Sequence, residues 1–264
     1  MQMSKGAGSS ERRPRAQRRR AAVESKSETE ALTDTGWFWL VFGGALLVRL
    51  FYLLEIASIP LFHHLAGDGR TYDEWGQRIA AGDWLGQGVF YQAPLYPYFL
   101  GLLQTLFGHS LWLIRLIQIG LGALSCALIF ETGRNLFSRR AGIAAGLILS
   151  FYAPGIFFDG LIEKSILDLF LLSLLLWLLS RLQTTTPWSR WLALGGILGL
   201  LGLTRENALI LVVVVPIWIS LFFSVVPIIR RLQWIGLFFA GLLLVLVPVG
   251  LRNLTIGGEF KLTT

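Results

Sequence analysis

The sequence predicts an all-α, polytopic bundle of transmembrane helices, on three observations. Hydrophobic residues make up 54% of the 264-residue chain and charged residues only 15%, with a mean hydropathy of +0.63. That balance lies outside the range of soluble domains. Several apolar runs approach the roughly 20 residues that cross a bilayer as a helix. The runs do not alternate apolar and polar residues, as the strands of a membrane barrel would.

The net charge of +7 is concentrated in an N-terminal tail and in short loops between apolar runs. Such a distribution follows the positive-inside rule and argues against nucleic acid as a partner. The single cysteine, Cys126, excludes an intramolecular disulfide and sits in an apolar run.

Residues 1–36 are polar, with the basic cluster Glu11 to Arg20, and read as a disordered cytoplasmic tail. The tail is a retention signal or an attractor of anionic lipid. Residues 37–264 then form one membrane domain. Trp37 to Ala57 is the first span and carries Arg49 and Glu55, either a structural pair or substrate contacts. The first outer loop covers residues 58–110. Within it, Pro94 to Gly108 is apolar but too short to span comfortably, which makes it an interfacial or re-entrant segment. That choice places the arginines of Gly133 to Arg140 inside.

The remaining runs are Leu111 to Phe130, Ala141 to Phe158, Ile166 to Ser180, Trp191 to Leu203, Leu209 to Val226 and Gln233 to Gly250. With the first they make about seven spans. The inner loops then hold Arg134, Arg139, Arg140, Arg181, Arg190, Arg230 and Arg231 and no acid. The outer breaks hold Asp68, Asp73, Asp83, Asp159, Glu163, Glu206 and Glu259, with Lys164, Arg205 and Arg252 among them. Mixed charge gathered at one face reads as a site.

The polar stretch Ala66 to Tyr98 is the richest candidate, with three Asp, one Glu, four Tyr and two Trp. Asp68 lies between Gly67 and Gly69, and a carboxylate at a membrane face suits general-base chemistry. Tyr72 and Tyr91 offer hydroxyls or stacking surfaces. Lys164 and Asp168 are spaced for an i, i+4 pair. Arg205 is suited to a phosphate, or to neutralising Glu206 or Glu163. His63 and His64 with Asp68 lack a zinc-type spacing, so no metal site is assigned, although a divalent cation is left open as cofactor. No phosphate-binding glycine loop is present. The glycines Gly195, Gly196, Gly199 and Gly202 lie in one span and mark close helix packing.

The segments GDGRTYDEW, IAAGDW and FYQAPLYPYFLGLLQTLFG, then Arg115 and LRNLTIGGEFKL, resemble as a set the GT-C class of integral-membrane glycosyltransferases. The resemblance is to the branch with protein O-mannosyltransferases and the lipid A aminoarabinose transferase. It implies transfer, with inversion, of a sugar from a polyprenyl-phosphate carrier to a lipid, glycan or protein acceptor at the non-cytoplasmic face. It places the catalytic acid on Asp68 and a second acid on Glu163, with Asp159 as rival. Tyr72, Asp73, Tyr91, Asp159, Lys164, Arg205 and Arg252 are then expected to contact substrate. The resemblance also makes the Pro-rich stretch a juxtamembrane helix, and some relatives carry a Lys just before its Pro, where this chain has Ala93. The carrier phosphate is then expected on Arg205, Lys164 or Arg252. Relatives are usually longer, so a chain shortened at its C-terminus is expected. The resemblance also implies a bacterial inner-membrane location. A flippase or transporter for a lipid-linked sugar, or a non-catalytic membrane scaffold, is the alternative reading.

Overall fold

The structure is a computed structural model that describes residues 15–182 and 186–263, with side chains from residue 34 onward, residue 61 excepted. Its described residues are helical and contain no strand. In chain order the helices are α1 (Arg15–Ile56), α2 (Pro60–His63), α3 (Gly67–Ala80), α4 (Leu95–Phe107), α5 (Leu111–Leu136) and α6 (Arg139–Ser150). They continue with α7 (Ala153–Asp159), α8 (Ser165–Ser180), α9 (Trp188–Gly202), a 3₁₀ turn (Glu206–Ile210), α10 (Leu211–Phe222) and α11 (Ile228–Gly257).

The first helix begins at Arg15, inside the segment set apart as a tail, because Ala, Arg and Glu from there on are good helix formers. The expectation for residues 1–14 lies outside the described residues, as does that for 183–185 in the loop after α8. Within α1, Asp34–Ile56 is long and apolar enough to cross a membrane, as are α5 and α11. Helices α6 and α7 pass the same test together but are bent by 56°. Pro154 lacks the N–H that would continue α6 into α7. Each of the remaining expected spans has a helix, but a shorter one. At 1.5 Å per residue the 16 residues of α8 reach roughly 24 Å, against a hydrocarbon core of about 30 Å. Leu47, Phe51, Ile148, Leu221 and Leu244 are each more than 60% exposed, as residues facing lipid are.

Helix α5 is the central post, touching α1, α6, α7 and α8. Helix α9 packs along α11 so closely that a Cβ on Gly195 would strike the carbonyl of Phe238, and one on Gly241 the carbonyl of Leu192. Helix α3 buries Tyr72, Trp75, Gly76 and Ile79, the i, i+3, i+4, i+7 stripe of a helix with one apolar face. That face lies on α4, with Gly76 against Leu100 and Gly101 against Ile79.

A buried ion pair crosses the interior. Arg49 Nε donates to Asp159 Oδ2 at 2.6 Å, and both side chains are about fully buried, at 0% and 1% exposure. Arg49 Nη1 also donates to the carbonyl of Ser150 at 3.3 Å, satisfying a group that the bend leaves without a helical partner. This corrects the expected pairing of Arg49 with Glu55, which is exposed on α1. A charge inside an apolar bundle needs a partner across the bundle, and among the described residues Asp159 is the acid that reaches Arg49 there.

Three of the arginines assigned to the inner loops are also engaged. Asp34 binds Arg134 at 2.7 Å and Arg139 at 2.6 Å, and Glu131 binds Arg134 at 2.8 Å and Arg181 at 3.2 Å. This corrects the acid-free reading of the inner loops, since Glu131 lies between the expected spans Leu111 to Phe130 and Ala141 to Phe158. Acids on the flanking helices α1 and α5 neutralise their arginines.

Candidate active site

At the other end of the bundle, the turn between α7 and α8 is fixed from below by α5. Arg115 Nε donates to the carbonyl of Gly160 at 2.8 Å. Gln118 Nε2 donates to the carbonyls of Asp159 at 3.0 Å and Leu161 at 2.6 Å, and Gln118 Oε1 accepts from the Tyr96 hydroxyl at 2.6 Å. Sequence reasoning did not single out Gln118. Its signal was a polar side chain one turn after Arg115 in an otherwise apolar span, where an unpartnered polar group is costly.

The start of α3 rests on this turn. A Cβ on Gly69 would lie 3.1 Å from the carbonyl of Ile162, so only a residue without one sits there without pushing the turn aside. Asp68, in the first turn of α3, is thereby brought beside Glu163. Glu163 is half-buried, and its carboxyl is pushed up from its ordinary range by burial and next by the charge of Asp68. Asp168 pushes the same way, while Lys164 opposes it. Tyr72 feels the same cluster: burial, then Glu163, Asp68 and Asp168, raise its phenol to about 12. Asp68 accepts a hydrogen bond from Gln92 Nε2 at 3.5 Å.

Asp168 is held by Arg205, Nε to Oδ2, at 2.8 Å. This corrects the i, i+4 pairing of Asp168 with Lys164 and gives Arg205 an acid on α8. The guanidinium comes from the turn after α9 and reaches across to α8. Asp168 Oδ1 and Gln92 Oε1 are buried and accept no hydrogen bond among the described residues. Asp168 and Arg205 also stand at the edge of a groove of about 600 Å³ walled by Phe158, Leu169, Leu172, Leu201 and Leu211.

The structure does not bring every expected residue to this cluster. Asp73 is buried on α3, where it accepts from Gln77 at 2.8 Å, Gln104 at 2.9 Å and His109 at 3.0 Å. Those bonds tie α3 to α4 and to the turn before α5. Asp159 is occupied by Arg49. Arg252, on α11, donates to the carbonyls of Leu85 and Gly88, at 2.6 Å to the latter, and its guanidinium lies 3.9 Å from the Phe90 ring centre. Tyr91 stacks on Trp75, with centroids 6.1 Å apart and planes 11° from parallel. His63 and His64 join no group of three or more potential metal ligands among the described residues.

The cluster thus combines a carboxylate near the surface, a second with raised pKa, two unoccupied acceptors, a cation and an apolar trough. Such a set can take a proton from a hydroxyl, hold sugar hydroxyls and seat an anionic headgroup on a lipid tail. A family model described as dolichyl-phosphate-mannose-protein mannosyltransferase matches residues 91–251, more than half of the chain. The matched stretch includes Tyr91, Asp159, Glu163, Lys164 and Arg205; Asp68, Tyr72 and Asp73 precede it and Arg252 follows it. No curated protein and no solved structure matches the chain significantly.

Proposed function

The chain belongs to the dolichyl-phosphate-mannose-protein mannosyltransferase family, and from that premise we propose that the cluster around Asp68 and Glu163 is its catalytic site. The protein is a membrane glycosyltransferase that draws its sugar from a polyprenyl-phosphate carrier. In the proposed reaction an acceptor hydroxyl at the non-cytoplasmic face gives its proton to Asp68 as its oxygen bonds to the anomeric carbon. The bond from that carbon to the phosphate oxygen breaks, and its electron pair leaves on the lipid phosphate. Attack from the face opposite the leaving group inverts the configuration.

The remaining residues are assigned by charge and place. Glu163 faces the positive charge that builds on the sugar, as carboxylates do in other glycosyl transfers. Asp168 Oδ1 and Gln92 Oε1 accept from sugar hydroxyls, which would fill the hydrogen bonds both atoms lack. Arg205 and Lys164 receive the departing phosphate, and the apolar groove beside Arg205 takes the lipid chain. Tyr72, with its phenol held protonated, donates toward the same acids.

The observation that carries this reading is the meeting of Asp68, Glu163, Asp168 and Arg205 from three separate stretches of sequence beside one apolar groove. A general base contributes on the order of a hundred- to ten-thousandfold in rate. In proteoliposomes supplied with labelled polyprenyl-phosphate mannose and membrane acceptors, Asp68→Asn is expected to slow sugar transfer by that factor while melting as the wild type does. Transfer at the wild-type rate by that variant overturns the assignment.

A further inference from the structure

A second cavity lies along α3, past the catalytic cluster. It encloses about 200 Å³ between α3 and the loop 81–93. By the liquid volume per molecule that is room for roughly seven waters, the scale of one sugar ring. Its apolar floor is Trp75 and Phe90, at 7% and 6% exposure. Tyr91 lies flat on Trp75 and leaves its other face to solvent, at 68% exposure. Polar side chains ring this floor: Arg78, Asp83 and Gln87. No hydrogen bond or ion pair engages the side chain of Arg78 or Gln87 among the described residues, and Asp83 spends one oxygen on the N–H of Gly86 at 2.8 Å.

The walls are built in advance of any ligand. Arg252 grips the carbonyls of Leu85 and Gly88, and Asn253 Oδ1 accepts from the N–H of Phe90 at 3.3 Å. Gly86 and Gly88 hold φ at +60° and +63°, which lets the loop fold back onto α11. An aromatic face beside unspent donors and acceptors is the surface a carbohydrate requires. Its C–H face lies on the ring and its hydroxyls bond around the rim.

We infer that this cavity is a saccharide subsite for the acceptor, and so that the acceptor is a glycan or glycolipid that presents more than one sugar. The inference rests on the catalytic reading of Asp68 and adds the acceptor's class to it. Position on the helix sets the spacing. Asp68 and Trp75 are seven residues apart on α3, which is about 10 Å of rise. Gln92, next to Tyr91, is the residue that touches Asp68. A sugar seated against Tyr91 therefore lies beyond the reacting hydroxyl, and the sugar that carries this hydroxyl bridges the gap to Asp68. Arg78 and Asp83 offset each other in charge, and Arg252, which also lines the cavity, is turned to the carbonyls of Leu85 and Gly88.

The test uses the full chain in nanodiscs and a panel of neutral mono- and disaccharides, followed by saturation-transfer NMR and by Trp fluorescence. At least one disaccharide is expected to bind with a dissociation constant near a millimolar. Gln87→Ala and Arg78→Ala, both on exposed side chains, are expected to weaken that binding at least tenfold with an unchanged melting midpoint. Asp68→Asn should bind the disaccharide like wild type although transfer is lost, which separates this inference from the assignment of the base. The inference is overturned if no member of the panel binds, or if binding is indifferent to both Gln87→Ala and Arg78→Ala.

Discussion

Among the acids of α3 and the α7–α8 turn, environment separates roles that residue type does not. Asp68 and Asp73 lie five positions apart on one short helix. Asp73 points to α4 and is consumed by Gln77, Gln104 and His109, whereas Asp68 has one long bond from Gln92 and raises the carboxyl of Glu163 by its charge. Glu163 is held up by burial first and by Asp68 second. Its ionised form is therefore less favourable in the folded protein than in the unfolded chain. Stability contributed at this group is complete below its ordinary value of 4.5 and is lost as pH rises through the raised value. Melting in detergent from pH 4 upward should show that decline, and Glu163→Gln should remove it. Asp68→Asn should shift the decline to lower pH, since it takes away the like charge. A slope untouched by either substitution would mean that Glu163 does not sense Asp68. The buried Arg49–Asp159 pair has a different signature. Asp159→Asn leaves an uncompensated guanidinium in the interior and should destabilise by about 3–5 kcal/mol. Replacing both residues with Met and Leu should recover most of that loss in the same unfolding assay.

Two element-level devices hold the candidate site in place. The first is α5, which carries Gln118 under the turn that bears Glu163. Gln118→Ala strips hydrogen bonds from two carbonyls and from the Tyr96 hydroxyl, a change of about 1–3 kcal/mol for each buried group left unmet. Because the turn then loses its register under Asp68, transfer should fall with little change in apparent donor affinity. Gln118→Glu keeps the acceptor for Tyr96 but not the donors and should not rescue it. The second device is the α9–α11 contact. Gly241→Val puts side-chain atoms into the backbone of Leu192, an overpacking of about 1–3 kcal/mol or more. Gly236→Ala, on the same helix but in open space, should be neutral or slightly stabilising. Thermal unfolding of the two variants side by side checks the contact. The glycine run on α9 was readable as a packing stripe. Its partner on α11 was not, because a stripe shows that backbones approach without showing which ones.

At the scale of the whole molecule, the α-helical membrane class was legible from apolar content and run length alone. So was the alternation of loop charge, from which the structure pairs Arg134, Arg139 and Arg181 with Asp34 and Glu131, and Arg205 with Asp168. The resemblance brought Asp68 and Glu163 forward together, and in the structure the charge of Asp68 helps raise the Glu163 carboxyl. What a linear reading could not supply was pairing across the bundle. Arg49 and Asp159 are 110 positions apart, and Arg205 and Asp168 are 37 apart. Helical periodicity tells which face a charge occupies and leaves open which helix will meet it. The bend between α6 and α7 was hidden for a similar reason, since Pro154 reads equally well as the start of a new helix or a kink in an old one.

The account rests on one face of the bundle carrying the whole reaction. Its most direct test is single-cysteine labelling in a Cys126→Ala background, with residue 68, 163 or 205 at one end and residue 139 or 181 at the other. In sealed vesicles of known orientation, a membrane-impermeant maleimide applied outside should label positions 68, 163 and 205 together and spare 139 and 181. Inverted vesicles should reverse the pattern. Labelling of 68 and 205 from opposite sides would contradict the account.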